Sequence, residues 1–238
     1  MQPLPAPDRL ALDWEQVPVC FVPDDGTPLS GLLAEELTGR GWQVVILQWP
    51  QDIVGRSAGV PDSIQRVSLA GFAEDQMRAG LEEAAKVYGP ASTVICLEPA
   101  WLAGSQTEAV AAPIQEQYLQ GVFWLAKSLK PDLTGNLQGG RNAFLTVAHL
   151  DGVLGTSGAG NWSAVSGGLF GLVKTLNLEW EHVFCRALDL HGDLPAEQAV
   201  AYILAELQDP DRLLVEVGYS LQQRVTLTLA DAAARSTQ

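Results

Sequence analysis

The sequence contains few of the residue types on which metal sites and disulfide frameworks depend. Its 238 residues include three histidines and three cysteines, and neither set has the spacing that holds a zinc ion. Cys20, Cys96 and Cys185 each lie inside an apolar run, which predicts buried free thiols in a reducing cytoplasm. No Walker loop occurs. These patterns predict no metal site and do not support a P-loop nucleotidase.

Basic residues and long apolar runs are also scarce. The chain has 14 lysines and arginines against 28 acidic residues, which gives a formal net charge of -14. Without a basic stripe, counterion release cannot drive binding to nucleic acid or to an anionic membrane surface. No run approaches the ~18 apolar residues of a membrane span, and residues 1–7 lack the basic start and apolar core of a signal peptide. We therefore expect a soluble, cytoplasmic protein that binds neither nucleic acid nor membranes.

Apolar residues, by contrast, are abundant and fall into short alternating runs. At 47% hydrophobic residues, a chain of this length can bury a full core as one domain. Short β-rich runs alternate with helical patterns, which favours an α/β fold with a mostly parallel sheet. The predicted strands are residues 17–22, 44–47, 64–69, 93–97, 143–148, 184–190 and 212–217. A final run, 224–229, is predicted to form a C-terminal β-hairpin with the last of these.

The first predicted helix has clear signals at both ends. Thr27 is placed to be the N-cap, Pro28 takes the first helical position, and Gly41 ends the helix. Further helices are predicted at residues 72–88, 113–129, 162–180 and 195–207. Residues 48–61 contain too many turn formers for a regular helix, so the second crossover helix is predicted to be short or absent.

The helix predicted at 162–180 resembles the active-site helix of short-chain dehydrogenases/reductases. In that family the helix opens with Tyr-x-x-x-Lys, and a Gly-Leu pair follows nine positions after the tyrosine. Counting back from Gly171 places Trp162 at the tyrosine position and Ser166 at the lysine position. An indole is no acid at neutral pH, and a hydroxyl cannot supply the ammonium that activates a phenol. The resemblance therefore implies a family helix without catalytic residues.

The family's glycine-rich phosphate turn is altered in the same way. Its pattern falls on residues 23–30, where Asp24, Pro28 and Ser30 replace the glycines. Proline lacks an amide donor, and the adjacent carboxylates of Asp24 and Asp25 would repel a pyrophosphate. We predict a turn with an Asp cap and no cofactor in this chain, with nucleotide binding at this turn as the alternative.

Three other positions are compared with the family pattern. The Asn-Asn-Ala-Gly that follows the fourth strand in active relatives is replaced by Leu97, Glu98, Pro99 and Ala100. The serine that polarises the substrate carbonyl corresponds to His149, which could hydrogen-bond a carbonyl, although a structural histidine at a strand end is the favoured interpretation. Residues 155–160, Gly-Thr-Ser-Gly-Ala-Gly, have the composition of a phosphate loop. A lone glycine-rich match is weak evidence, so a flexible loop is predicted and ligand binding stays open.

A longer resemblance extends over nearly the whole chain, from about residue 17 to 229. Residues 168–180 and 183–190, supported by 117–127, resemble the structural subdomain of a ketoreductase in polyketide and polyunsaturated-fatty-acid synthases. This implies a truncated Rossmann-like three-layer fold. In that family a non-catalytic half packs against a second half, which binds NADPH and reduces a β-ketoacyl group on acyl carrier protein.

The resemblance also implies a domain organisation and partners. We expect an N-terminal extension at residues 1–16, the Rossmann-like subdomain at 17–230 and a tail at 231–238. The expected partners are the catalytic subdomain and neighbouring synthase domains, with acyl carrier protein and a homodimer of the isolated chain as further candidates. Helices beside the active-site helix supply association surfaces in such reductases, which makes Tyr118, Phe123, Trp124 and Phe170 candidates, with a core position of Phe170 and Trp162 as the alternative. A divergent NAD(P)H reductase using His149 and a free-standing binding module are the alternatives.

Overall fold

The computed structural model of the protein describes residues 1–8, 17–51, 59–99, 108–135, 140–158 and 163–228, with residues 108–112 described by their backbone only. The strands are β1 (Gln2–Leu4), β2 (Val19–Pro23), β3 (Gln43–Gln48), β4 (Gln65–Ser68), β5 (Thr93–Leu97), β6 (Ala143–Ala148), β7 (Phe184–Leu190), β8 (Glu216–Tyr219) and β9 (Arg224–Thr226). The helices are α1 (Pro28–Gly39), α2 (Glu74–Tyr88), α3 (Glu108–Gly135), α4 (Ala164–Glu179) and α5 (Ala196–Gln208). No helix among these residues is long and apolar enough to cross a membrane.

The strands form one nine-stranded sheet in the order β1-β9-β8-β7-β6-β5-β2-β3-β4. Strands β2 to β8 pair in parallel, whereas β9 pairs antiparallel with both β8 and β1. The central strands β2, β5, β6 and β7 are buried along their whole length, as expected for parallel strands covered on both faces. The predicted α/β, Rossmann-like fold with a mostly parallel sheet is confirmed.

Helices cover both faces of the sheet and make three layers. Side chains of β2 alternate: Phe21 packs with the residues of α2, α3 and α4, whereas Cys20 and Val22 pack with those of α1 and α5. From β5 through β6 and β7 to β8, each strand lies one position further toward the same edge of the sheet. Helices α3 and α4, which connect the first two pairs, lie on one face, whereas α5, which connects β7 to β8, lies on the other face with α1. The β7–α5–β8 crossover therefore has the opposite hand to those of α3 and α4.

The local signals of α1 are confirmed. The Thr27 hydroxyl accepts a hydrogen bond from the Leu29 amide at 3.1 Å, and Pro28 occupies the first turn. Gly41 adopts a φ of 85° just after the helix, a conformation that glycine tolerates better than other residues. The strands predicted at 93–97, 143–148 and 184–190 match β5, β6 and β7 to the residue.

Other boundaries were wrong because tertiary contacts override local signals. Helix α3 continues beyond the predicted end at 129 and contains Pro131, because Leu133 is fully buried and the Asn142 side chain donates to its carbonyl at 2.7 Å. Strand β8 begins only at Glu216 and runs to Tyr219, which shortens the predicted hairpin turn to residues 220–223. Strand β1 lies in the segment expected to precede the domain and was not predicted. The predicted boundary near residue 230 lies outside the described residues.

The connection from β3 to β4 is irregular where the structure describes it. Residues 49–51 and 59–64 contain no helix, and residues 52–58 of the segment predicted to have a short helix or none lie outside the described residues. Gly59 lies directly against α1, since a Cβ added to Gly31 would be 2.3 Å from the Gly59 carbonyl oxygen. Two glycines thus allow backbones to touch beside the first turn of α1.

Candidate functional site at the carboxyl edge of the sheet

The residues singled out from the sequence lie where β2, β5 and β6 end. In open α/β sheets, ligands bind at this carboxyl edge. Asp24 follows β2, Glu98 follows β5, His149 follows β6, and Ser166 lies in the first turn of α4. Trp162 lies outside the described residues. Among the described residues, no cluster of three or more histidine, cysteine or acidic side chains could hold a metal ion.

The turn after β2 is closed by its own carboxylates. Asp24 accepts hydrogen bonds from the Gly26 amide at 3.0 Å and the Ser30 hydroxyl at 3.1 Å. Asp25 accepts one from the Thr27 amide at 3.0 Å. Both aspartates are buried, and burial raises the pKa of Asp25 against the hydrogen bonds from Thr27 and Ser30. The predicted turn is present: its aspartates accept hydrogen bonds from residues before and within α1, and Thr27 caps the helix as predicted.

This arrangement changes what the turn offers to a phosphate. In the family pattern, bare amides at a helix N-terminus point toward the anion. Here the Gly26 and Thr27 amides point toward aspartate oxygens, the Leu29 amide points toward the Thr27 hydroxyl, and Pro28 has no amide hydrogen. The amides of Gly26, Thr27 and Leu29 therefore already have acceptors within the turn, and the carboxylates of Asp24 and Asp25 bind two of these amides in place of a phosphate.

Glu98 and Ser166 form a buried pair. The Ser166 hydroxyl donates to the Glu98 carboxyl, with Oγ at 3.0 Å from Oε1 and 2.9 Å from Oε2. The His149 amide donates to Oε2 at 3.3 Å. Burial raises the pKa of Glu98 to about 7, Ser166 and His149 oppose this rise, and Asp189 adds to it. Glu98 is fully buried, and no described lysine or arginine forms an ion pair with it.

His149 lies beside this pair with an imidazole that stays neutral near pH 7. Burial lowers its pKa, while a hydrogen bond to the Leu190 backbone acts in the opposite direction. Tyr118 contacts the residue before Glu98: its hydroxyl donates to the Leu97 carbonyl at 3.0 Å, and its ring packs edge-on against Trp49. Sequence reasoning noted Glu98 only as a departure from the family pattern and did not predict its contact with Ser166.

The described part of the predicted glycine-rich loop folds around an aspartate of this chain. Asp151 accepts hydrogen bonds from the amides of Val153, Gly155 and Ser157 at 2.9, 2.7 and 2.9 Å. Burial acts to raise the pKa of Asp151, but bonds from Ser157, Val153 and Gly155 outweigh it and lower the pKa to about 2. Such converging amides form an anion nest. Its anion here is the Asp151 carboxylate, and residues 159–160 lie outside the described residues.

A second carboxylate, which is fully buried, supports the same loop from β7. Asp189 accepts hydrogen bonds from the amides of Leu150 and Leu154 at 2.8 and 2.7 Å. Burial raises the pKa of Asp189 to about 6, although bonds from Leu154, Leu150 and Gly152 oppose the rise. Sequence reasoning missed both aspartates, because the pattern shows no link between an acid in β7 and the loop after β6.

The sequence and the fold were compared with those of known proteins. The chain is 30% identical over 233 residues to one subunit of the polyunsaturated fatty acid synthase of Thraustochytrium sp. strain ATCC 26185 / S-3, a match that covers 93% of the chain and 8% of that protein. The chain thus spans a small part of this relative's length. No protein-family model matches the sequence.

Solved structures of short-chain reductases share the fold. A 3-ketoacyl-(acyl-carrier-protein) reductase from Brucella melitensis, solved with NADH, superposes with a TM-score of 0.64 at 17% identity, covering 84% of this chain and 96% of that chain. The ligand-free aldohexose dehydrogenase of Thermoplasma acidophilum superposes with a TM-score of 0.55 at 15% identity, covering 83% and 75%. The chain therefore has a fold like that of these two enzymes, and its sequence is similar to a segment of a polyunsaturated fatty acid synthase subunit.

Proposed function

We propose that this chain is the non-catalytic structural subdomain of a ketoreductase in a multidomain fatty-acid or polyketide synthase. Its role is to stabilise a second subdomain, which binds NADPH and reduces β-ketoacyl groups on acyl carrier protein. The observation that carries the proposal is the buried hydrogen bond between Ser166 and Glu98. The similarity to a segment of a fatty acid synthase supports the same context.

The argument against catalysis in this chain rests on what the edge of the sheet contains. A reductase of this fold needs a proton donor, a cation that lowers the donor's pKa, and a site for the pyrophosphate. At the cation position stands the Ser166 hydroxyl, which is bound to a buried acid. The turn after β2 directs its amides to Asp24 and Asp25. Both groups have partners within the chain, as a structural role requires.

A scaffold needs an exposed surface that binds its catalytic half. The burial of the four aromatic side chains predicted for this surface shows which of them are accessible. Tyr118 is fully buried and belongs to the core, so its prediction as a surface residue was wrong. Phe170 is 7% exposed, which agrees with the alternative that it is a core residue. Phe123 is 47% exposed on α3 and meets Trp124 edge-on at 4.9 Å. The Lys127 ammonium lies 4.8 Å from the Trp124 ring centre. We assign the partner-facing surface to this part of α3.

The experiment adds the downstream reductase half of the parent synthase in trans and measures Tm of both parts. We expect Tm of the mixture to rise above that of each part, and Phe123→Ser to remove the rise. Val87→Ser, on α2, is the matched control, because Val87 is also an exposed apolar residue. If a folded reductase half leaves Tm of this chain unchanged, the scaffold role is wrong.

The enzymatic alternative, a divergent NAD(P)H reductase, has one observation in its favour. Glu98, with a pKa of about 7, lies beside the His149 backbone and could exchange a proton near neutral pH. Calorimetric titration with NADPH separates the two functions. Binding tighter than about 100 μM, together with oxidation of NADPH by a β-ketoacyl thioester that His149→Ala abolishes, would establish the enzyme and exclude the scaffold.

A further inference from the structure

An open groove lies between α1 and α5, on the face of the sheet opposite to α3. Buried side chains of α1 and α5 share one core cluster on this face, whereas α3 and its exposed Phe123 lie on the other face. The groove has a volume of about 250 Å³ and is lined by residues of both helices. It is separate from the surface assigned to α3, and the scaffold role proposed above does not use it.

The floor of this groove is apolar. Val200 and Leu204 of α5 are almost fully buried, and Leu32 of α1 packs partly buried against the same core cluster. Ala201 lines the groove from an exposed position of α5, and its methyl group fills little of the space. A site for a small organic molecule usually has a volume of ~300 to 1,000 Å³. Because the groove is smaller than this, it fits one or two side chains of a protein partner better than a ligand the size of a cofactor.

The rim of the groove is acidic. It carries the carboxylates of Glu36 and Glu197, and Arg40 is the only cation among the lining residues. Arg40 donates to Oε1 of Glu36 through Nε at 3.1 Å and through Nη2 at 2.9 Å, so this cation already has a partner on α1. Glu197 forms no ion pair with a described residue, and residues 190–211 contain no lysine or arginine. A cation from outside the chain would balance the charge of this rim.

We propose that this groove docks a segment of another protein or domain, which inserts an apolar side chain between α1 and α5 and places a lysine or arginine against Glu197. An apolar anchor in a pocket with a polar rim is the usual centre of a protein–protein contact. Charge decides between the possible occupants. A second copy of this chain, with its formal net charge of -14, would bring like charges to an acidic rim. A segment with a basic residue beside an apolar one is complementary to both the rim and the floor.

The first test adds a designed helical peptide, with leucines along one face and lysines along the other, to the full chain. The salt concentration is ~0.1 M, at which charges more than about 10 Å apart are largely screened. We expect the methyl NMR signals of Leu32, Val200 and Leu204 to shift and to saturate. Ala201→Phe fills the groove and should weaken binding about ten-fold. Ala79→Phe, at an exposed position of α2, is the matched control and should leave the affinity unchanged.

The second test separates apolar anchoring from attraction between charges. Glu197→Gln should weaken binding of the leucine–lysine peptide about three-fold, whereas Glu83→Gln, at an exposed position of α2, should not. A peptide with serine in place of leucine keeps the charge and loses the anchor, so we expect it to leave the three methyl signals unchanged. If this peptide binds as tightly as the leucine–lysine peptide, or if Ala201→Phe binds like wild type, the contact is unspecific charge attraction and the proposal is wrong.

The wild-type chain alone tests the remaining occupants, independently of how the variants fold. If the leucine–lysine peptide does not move the methyl signals of the wild-type chain, the groove does not dock such segments. Analytical ultracentrifugation tests a second copy as the occupant. Self-association of the wild-type chain that Ala201→Phe removes would identify a homodimer contact at this groove and overturn the proposal.

Discussion

The Oγ atom of Ser166 lies 2.9 Å from Oε2 and 3.0 Å from Oε1 of Glu98, in a fully buried contact between α4 and the end of β5. Both residues replace residues of the reductase pattern, and in the structure the two replacements are hydrogen-bonded to each other. A lysine at position 166 would place an ammonium against this carboxyl. The serine instead supplies a neutral donor, which suits a carboxyl whose pKa burial raises to about 7, so that it is mostly protonated well below that pH.

The first prediction concerns Glu98→Gln. Burial raises the pKa of folded Glu98 from its usual 4.5 to about 7, so its contribution to stability is present below pH 4.5 and is lost as pH rises through 7. The full effect is ~3 kcal/mol, and an amide cannot ionise. We expect the variant to be more stable than wild type above pH 7, as measured by urea unfolding between pH 4.5 and 8.

Glu82→Gln is the matched control for this pH series. Glu82 lies on α2 with its side chain 61% exposed, so its substitution should leave the pH dependence of the wild-type chain unchanged. If Glu98→Gln loses stability in parallel with wild type between pH 4.5 and 7, Glu98 is not the group responsible.

The second prediction is that Trp162→Tyr with Ser166→Lys creates no reductase activity. The new ammonium would form an ion pair with Glu98 and lower the pKa of that carboxyl. The turn of Asp24 and Asp25 would still direct its amides to its own carboxylates. NADPH oxidation with a β-ketoacyl thioester should stay at the background rate. Activity above that rate would mean that a nucleotide site exists despite this turn.

The third prediction concerns Glu206, which is buried on α5. Its carboxylate accepts hydrogen bonds from Arg186, from the Tyr219 hydroxyl at 2.6 Å and from Arg224 at 2.6 and 3.1 Å. Glu206→Gln leaves two arginines with less compensating charge, and breaking such a buried pair costs ~3 to 5 kcal/mol. We expect a large fall in the urea midpoint.

Glu197→Gln is the control for Glu206 because it changes an exposed glutamate on the same helix. Its urea midpoint should match that of the wild-type chain. Similar midpoints for both variants would mean that the network of Arg186, Glu206 and Arg224 adds little to stability.

The fourth prediction tests the contact between α1 and the β3–β4 connection. Gly31→Ala places a Cβ 2.3 Å from the Gly59 carbonyl oxygen, and backbone must move to accommodate it. We expect a loss of ~1 to 3 kcal/mol in the free energy of unfolding. Gly39→Ala, on the same helix with nothing within 4 Å of the new Cβ, should be neutral or slightly stabilising. Equal stabilities of the two variants would contradict the close backbone contact.

Much of the fold could be predicted because its signals are local. The cap at Thr27 depends on an amide two residues away, and the apolar runs of β5, β6 and β7 reflect burial on both faces of a parallel sheet. Where prediction was wrong, the cause was a distant contact. Helix α3 passes Pro131 because Leu133 is buried, and β1 exists because β9 offers an unpaired edge.

The candidate site also has one part that the sequence predicts and another that depends on tertiary contacts. The sequence by itself determined which family residues are replaced at Asp24, Pro28, His149 and Ser166, because motif spacing survives along a single helix or turn. Only the tertiary structure decided what the replacements do, since Ser166 and Glu98 are 68 residues apart and meet through strand order. The physical reason is that a buried carboxyl takes its pKa and its partners from groups that surround it in space, and the chain brings those groups together only when the sheet forms.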